Sequence, residues 1–389
     1  MSDFEKVHQH LVDKGYAGSG VRTITINDCE ELQFIWSLFV GETHHEFLGV
    51  EYNKIRTESL VHYVTSHIQV NQPISQKVKD EFHANQFPFA VEVFSNETYT
   101  LDTDLVKQPH SAPFFINTKK LIIDGGSLTA LATAIAIKAD VLQVTTKSSG
   151  SNPYHIGILG VKGEDGVAGH DGEDYPHAAN GRNAGVPSPG ICTGASSGGS
   201  DSSGVNGTSG SNGSKAGDGV PNFPCSIEID GISSDSNILY FFTQSGLGGV
   251  GGVGGHGGTG QQGGMGGHGC SSGCEGTNGG HAGDGGDGGL GGDGGVGGDG
   301  ANGNPITISF PGGANRNKLS VTSDSALPGQ GGAYGKGGAE GIGGHGGHGG
   351  HGSSDGKSGS TGSFGSDGKK GAEGERTGSA GNINYNWIG

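Results

Sequence analysis

The residues with the most chemical potential stand three apart. His345, His348 and His351 form one series, and Asp284, Asp287, Asp293 and Asp299 form another on the same beat. Imidazoles suit zinc and carboxylates suit calcium, but the spacing argues against both. In an extended helix of three residues per turn, such neighbours lie about 9 Å apart along the axis, whereas a zinc–nitrogen bond is about 2.0–2.1 Å. Only histidines on neighbouring segments, such as His256, His268 or His281, could converge on one ion. The acidic series lacks the nine-residue frame of a calcium β-roll. Both series are expected to be solvated stripes, with no metal and no other cofactor.

The other candidate chemistries are weaker. His351–Ser358 ends in Gly356-Lys357-Ser358 but lacks the first glycine of a phosphate loop. His45-Glu46-Phe47-Leu48-Gly49 lacks the second histidine of a zinc-protease helix. Cys270 and Cys274 stand close in C-S-S-G-C, and a disulfide there would staple a tight turn in an oxidising compartment. Cys29, Cys192 and Cys225 are isolated, and the chain has no CxxC pair. No Ser-His-Asp order, carboxylate pair or Cys-His arrangement stands out. The chain is therefore expected not to be an enzyme.

What must position these side chains is mostly glycine. The chain carries 85 glycines in 389 residues, and only 31% of its residues are hydrophobic. That is too few large apolar side chains to fill one ordinary core of this size. From Gly157 to Gly172, Gly204 to Gly213, Gly246 to Gly303 and Gly329 to Gly374, glycine recurs every third residue, with interruptions at Gln261, Cys270, Ala282 and Ser353. Glycine at every third position bares one edge of an extended left-handed helix, so that backbones can approach and bond. None of the 13 prolines falls in 157–172, 246–303 or 329–374, which disfavours a collagen triple helix. Segments 248–260 and 283–298, with two glycines in three, suit the inside of a bundle, and 352–374, with one in three, suits its periphery. Short antiparallel legs turning near the phase breaks are expected.

The remainder reads differently. In residues 1–88 a strand over 23–26 precedes a helix capped by Asp28 and Glu31, with Leu32, Ile35, Trp36 and Phe39 on one face. Two more helices are expected from Thr57 and Ser75. Residues 89–156 hold strands over 89–94, 98–102, 114–123 and 139–146, with 130–137 open to either reading. Strand-like pieces also separate the glycine runs, at 225–230, 237–243, 305–310, 318–322 and 382–388. The expected fold is a small α-rich N-terminal domain (1–88) for attachment or assembly, a β-rich connector (89–156), and a bundle of polyglycine II helices interleaved with short β-strands (157–389).

The glycine-glycine-X runs over about 157–380 resemble the polyglycine II class, to which T-even-like phage long-tail-fibre tip adhesins and the snow-flea antifreeze protein belong. The resemblance implies a glycine-rich, collagen-like repeat that presents loops or a face. It suggests a non-catalytic structural or adhesive protein. Alternatives are a self-assembling extracellular fibre or sheath subunit, an ice-binding protein, and a toxin active in its N-terminal domain. The phase breaks supply candidate recognition loops: Glu173, Tyr175 and His177; Gln261 and Gln262; Cys270 and Cys274; Tyr334; and Ser353 and Ser354. The expected partner is a cell-surface or glycan receptor, or a further copy of the chain. A net charge of -17 disfavours nucleic acid, and no apolar run is long enough for a membrane span. The expected setting is extracellular, a cell surface or a virion, without a standard signal peptide.

Overall fold

The computed structural model describes residues 3–18, 20–27, 31, 35, 38, 39, 88–109, 111–146, 152–184, 202–272 and 275–389. The chain opens with α1 (Asp3–Asp13) and β1 (Arg22–Ile26), and continues through β2 (Phe89–Leu101), β3 (Leu105–Lys107), β4 (Phe114–Ile123), β5 (Leu128–Leu131), β6 (Ile135–Val144) and β7 (Ile156–Leu159). After the first glycine run come β8 (Cys225–Ile232) and β9 (Leu239–Gln244). The second run holds the small hairpin β10 (Ser271–Ser272) and β11 (Glu275–Gly276). β12 (Ile306–Pro311), a 3-10 turn over Gly313–Lys318 and β13 (Leu319–Asp324) follow, and β14 (Ile383–Ile388) comes after the third run.

From β2 onward, apart from the small hairpin, successive strands alternate between two sheets. One sheet has the order β1-β2-β4-β6-β8-β12-β14, and the other β13-β9-β7-β5-β3. All pairings in them are parallel except β1 with β2. The chain thus winds as a two-sheet parallel solenoid, one strand per sheet per turn.

Period-two burial builds the core. Phe114, Ile116, Ile137, Ile227, Ile308 and Phe310 of the first sheet meet Leu128, Ile156, Ile158 and Phe241 of the second. The opposite face of the first sheet is covered near its start by a second cluster, in which Val7 and Leu11 of α1 pack with Ile35, Phe39, Val91, Val93 and Phe115. That is why β4 is buried on both faces over its first half. Beneath α1, the buried Asn117 donates from Nδ2 to Phe4 O and to Ser95 Oγ, which pins the helix to the sheet.

This architecture corrects the expected fold. The chain is not an α-rich domain followed by a polyglycine II bundle, and the resemblance to that class does not carry over. Two large sheets organise it, and among the described residues α1 and the 3-10 turn are the only helices traced from end to end. The physical reason lies in the apolar residues. The strand-like pieces between glycine runs do not stitch a separate bundle together. Each is a further turn of the solenoid begun by β2; Ile227, Ile229, Leu239, Phe241, Ile306, Ile308 and Phe310 fill the same inter-sheet core, and Leu319, Val321 and Ile383 pack against it. The description as a collagen-like helical bundle falls with it.

In the N-terminal region, β1 matches the expected strand, and residues 31, 35, 38 and 39 are helical. Glu31 accepts from the Asn27 N–H, close to the expected cap. The helices expected from Thr57 and Ser75 lie outside the described residues. No helix among the described residues is long and apolar enough to cross a membrane.

One buried group couples the fold to pH. His155, with no exposure, accepts the Tyr240 N–H at Nδ1 (3.0 Å), and its Nε2 has no partner. Burial lowers its pKa because the imidazolium would lose its hydration. The native state then binds fewer protons than the unfolded chain. Stability is held above the unfolded value of about 6.5 and lost as pH falls from there through the lower folded value. The urea midpoint is expected to fall between pH 7.5 and 5.5, and less so in His155→Asn, whose amide oxygen can accept without titrating. An equal fall in both proteins would refute this assignment.

Candidate functional site: the glycine legs and their distal turns

Three times the chain leaves the second sheet, runs out along one glycine-rich leg and returns along another into the first sheet. Legs 1 (160–184) and 2 (202–221) join β7 to β8. Legs 3 (245–270) and 4 (277–304) join β9 to β12, and legs 5 (325–350) and 6 (353–381) join β13 to β14. Every third amide bonds sideways. Gly163, Gly166, Gly169 and Gly172 of leg 1 donate to Leu247, Val250, Val253 and His256 O of leg 3. Gly248, Gly251 and Gly254 of leg 3 donate to Leu327, Gln330 and Ala333 O of leg 5. Legs 2, 4 and 6 are joined in the same way, and antiparallel bonds such as Gly289 N–H to Gly258 O tie the two layers.

Glycine is required because neighbouring legs touch backbone to backbone. A Cβ on Gly252 would stand 2.0 Å from Val167 O, and one on Gly289 2.0 Å from Thr208 O. Leg 3, with two glycines in three, is the most enclosed, while leg 6 exposes two residues in three.

The sheet register continues into the legs. Ile156 pairs with Phe241, 85 residues on, and the Val250 N–H reaches Asp165 Oδ1 across the same offset of 85. Cys225 pairs with Ile306, and the Asp287 N–H reaches Asn206, both across 81. Leu239 pairs with Leu319, and the Lys336 N–H reaches His256, both across 80. A buried polar seam marks the change from side-chain to backbone packing. Asn222 Oδ1 accepts from Asn304 N–H and Ser245 Oγ, while Asn222 Nδ2 donates to Thr243 Oγ1.

The acidic series is not a free stripe. Asp284, Asp287, Asp293 and Asp299 accept the N–H of Ser360, Ser363, Lys369 and Glu375 at 2.7 Å each. The glycine amides donate to backbone carbonyls of neighbouring legs, and in many rows the third amide is capped by an Asp, Asn, His or Ser side chain of the adjacent leg. Asp299 also takes the Arg376 N–H (3.1 Å) and the Arg376 guanidinium (2.8 Å). It thereby absorbs the one extra residue between Gly374 and Gly378. The Arg376 side chain, and then its backbone N–H, hold the Asp299 carboxyl below the usual carboxylate range. That contribution is present above about pH 3.9 and lost as pH falls through the lower folded value.

The candidate recognition residues separate into two groups. Glu173, Tyr175 and His177 lie on leg 1 around Pro176 and Ala178, which bond Gln261 and Gln262 of leg 3, midway along the legs and not at a turn. Gln261 stands in a column otherwise held by glycine. Its Nε2 donates to Pro176 O, its Oε1 accepts the Val205 N–H, and Gln262 O takes the Ala178 N–H. The ladder of leg 1 runs through Gly172 and resumes at Ala178, so leg 1 gives way where Gln261 intrudes. Tyr334, 43% exposed, lies in the same column as Gly331 and Gly337, at the outer edge of legs 5 and 6.

The second group is distal. Cys270 is disulfide-bonded, and Cys274 lies outside the described residues. The turn carrying Ser353 and Ser354 docks beside it: Gly350 N–H donates to Thr277 O, His351 N–H to Ser271 Oγ (3.2 Å) and Ser354 N–H to Asn278 Oδ1 (3.0 Å). The sequence reading missed this adjacency, which the constant offsets near 80 residues could have revealed.

Among the described residues no group of three His, Cys, Asp or Glu could hold a metal ion. Ser95 and His8 do meet (Oγ to Nδ1, 2.9 Å), yet Ser95 is 1% exposed and bonded by Asn117, so the pair serves the docking of α1. The Cys225 thiol is buried, and burial pushes its pKa up, which leaves it unreactive. No protein-family model matches the chain, and no curated protein or solved structure is significantly similar to it.

Proposed function

We propose that this chain is a non-catalytic display scaffold. The sheets anchor three glycine hairpins, and the distal turns present a binding surface to a partner such as a cell-surface or glycan receptor. The observation that carries the reading is the docking of the 271–276 turn against the 350–354 turn at the end of legs held by backbone bonds. Such a platform is rigid while its exposed side chains are free to vary, and preorganised turns lose little entropy on binding.

The outer edges favour display over self-pairing. Open backbone edges invite further strands. On the outermost hairpins part of that edge is capped: Ser214, Ser211 and Thr208 accept the N–H of Val167, His170 and Glu173, and Asp367 and Asp355 accept those of Gly337 and Gly349. The experiment replaces residues 271–272, 275–276 and 351–354 with other turn sequences of equal length. Binding to a panel of glycans and intact cells is expected to disappear, while the melting temperature and far-UV spectrum stay unchanged. Retained binding, or ordered filaments of the unaltered protein in electron micrographs, would overturn the reading.

A further inference from the structure

Many of the third amides are capped by Asp, Asn, Ser or Thr, but three are capped by imidazole. His256 Nδ1 accepts the Lys336 N–H at 2.9 Å, His268 Nδ1 the His348 N–H at 3.0 Å, and His281 Nδ1 the Lys357 N–H at 2.8 Å. A backbone amide can only donate, so each Nδ1 must be unprotonated. We propose that these three histidines form an acid-sensitive release for the outer legs. Protonation of Nδ1 turns an acceptor into a second donor aimed at a fixed donor, and legs 5 and 6 loosen from legs 3 and 4 at those rows. Imidazole is the side chain that ordinarily changes charge between pH 5 and 8. The carboxylate caps in neighbouring rows keep accepting down to much lower pH, so the release acts on selected rows and leaves the rest of the ladder in place.

The groups around each histidine set the local balance. His256 faces Asp171 of leg 1, whose Oδ1 takes its N–H, and Lys336 of leg 5. His268 faces the neutral Asn183 of leg 1 and stacks on His348 of leg 5, with ring centroids 5.3 Å apart and planes 3° apart. Two imidazolium rings would repel there, while Asp355 of leg 6, 3.8 Å from His348 Nδ1, draws His348 away. Both responses separate the rows. His281 faces Lys357 of leg 6, with Asp284 next along its own leg. The inner flanks of leg 3 at His256 and His268, and of leg 4 at His281, are glycine and carry no charge.

The test is native-state amide exchange on the full chain at pH 7.5 and 5.5. Protection of the Lys336, His348 and Lys357 amides is read as a ratio to the aspartate-capped Ser360, Ser363 and Lys369 amides in the same sample, which removes the intrinsic pH dependence of exchange. The ratio is expected to fall roughly fivefold or more on acidification, the equivalent of one hydrogen bond. His256→Asn, His268→Asn and His281→Asn each supply a non-titrating acceptor, as Asn206, Asn212 and Asn278 do in the native ladder. Each is expected to abolish the response of its own amide alone. A ratio that stays constant in the unaltered protein, or the same fall in the asparagine variants, would overturn the proposal. Neither result bears on whether the distal turns bind a partner.

Discussion

Gly255→Ala is expected to cost about 3 kcal/mol or more. Gly255 lies in enclosed leg 3, and its own N–H donates to Ser211 O at 2.9 Å. A Cβ there would stand 2.0 Å from His170 O and 2.4 Å from its carbonyl carbon. The obstacle is backbone, so no side chain can swing aside. Leg 1 would have to retreat, breaking the bonds from Gly169 to Val253 O and from Gly172 to His256 O, each worth about 0.5–1.5 kcal/mol. Against that stands a gain of about 0.4–1 kcal/mol from a less flexible unfolded chain, which is too small to reverse the sign. Gly20→Ala is the control, since a Cβ there meets nothing within 4 Å. Its effect should stay within about 0.5 kcal/mol. Thermal and urea unfolding of the two variants would settle the contrast, and equal stability would show that the legs yield more easily than their geometry implies.

Phe310→Ala is expected to cost about 3–5 kcal/mol. Phe310 is fully buried on β12 in the inter-sheet core, flanked by β8 and β14. Its removal leaves a cavity that parallel neighbours on both sides prevent from collapsing. Because each leg is the continuation of a strand in the same register, sheets and legs are expected to unfold together. Intrinsic fluorescence and far-UV dichroism should give coincident curves for the variant, as the two-state test requires. If the glycine amides kept their protection while the sheet amides lost theirs, the legs would be a separate folding unit.

Much of the strand placement was legible in the sequence. The segment over 114–123 is β4 to the residue, and the pieces between glycine runs fall within two residues of β8, β9, β12, β13 and β14. Runs rich in isoleucine, valine and aromatics carry that signal locally. Their pairing was not legible in the same way, because a parallel partner stands 77–90 residues distant and no hairpin turn announces it. The ambiguous stretch 130–137 illustrates the difficulty. It contains the end of β5 and the start of β6, two strands of different sheets joined at Ala132, whose φ of 41° places it in the left-handed region. No turn residue advertises that corner.

The candidate site was legible in part. Which legs lie inside followed from glycine content, since two bare edges permit two close neighbours. The role of the Asp and His series did not follow, because a three-residue beat looks identical whether its side chains face water or cap the next leg. Gln261 shows the opposite error. As a break in phase it suggested a turn, whereas its side chain substitutes for lost backbone contacts by bonding Pro176 and Val205 in mid-leg.

The shared register of sheets and legs also constrains how the gene can change. Coding tracts for Gly-Gly-X are repetitive, and replication slips readily on such tracts. A slip that adds or removes whole triplets of residues on both sides of a distal turn returns every later glycine to its column. It gives a hairpin of new reach with the same solenoid at its root. A slip of any other size puts side chains into neighbouring carbonyls along the rest of the leg, unless a local device such as the doubled cap at Asp299 absorbs it. Hairpin length is therefore inherited in discrete steps, and related genes should differ there by whole triplets while their strands keep a constant length.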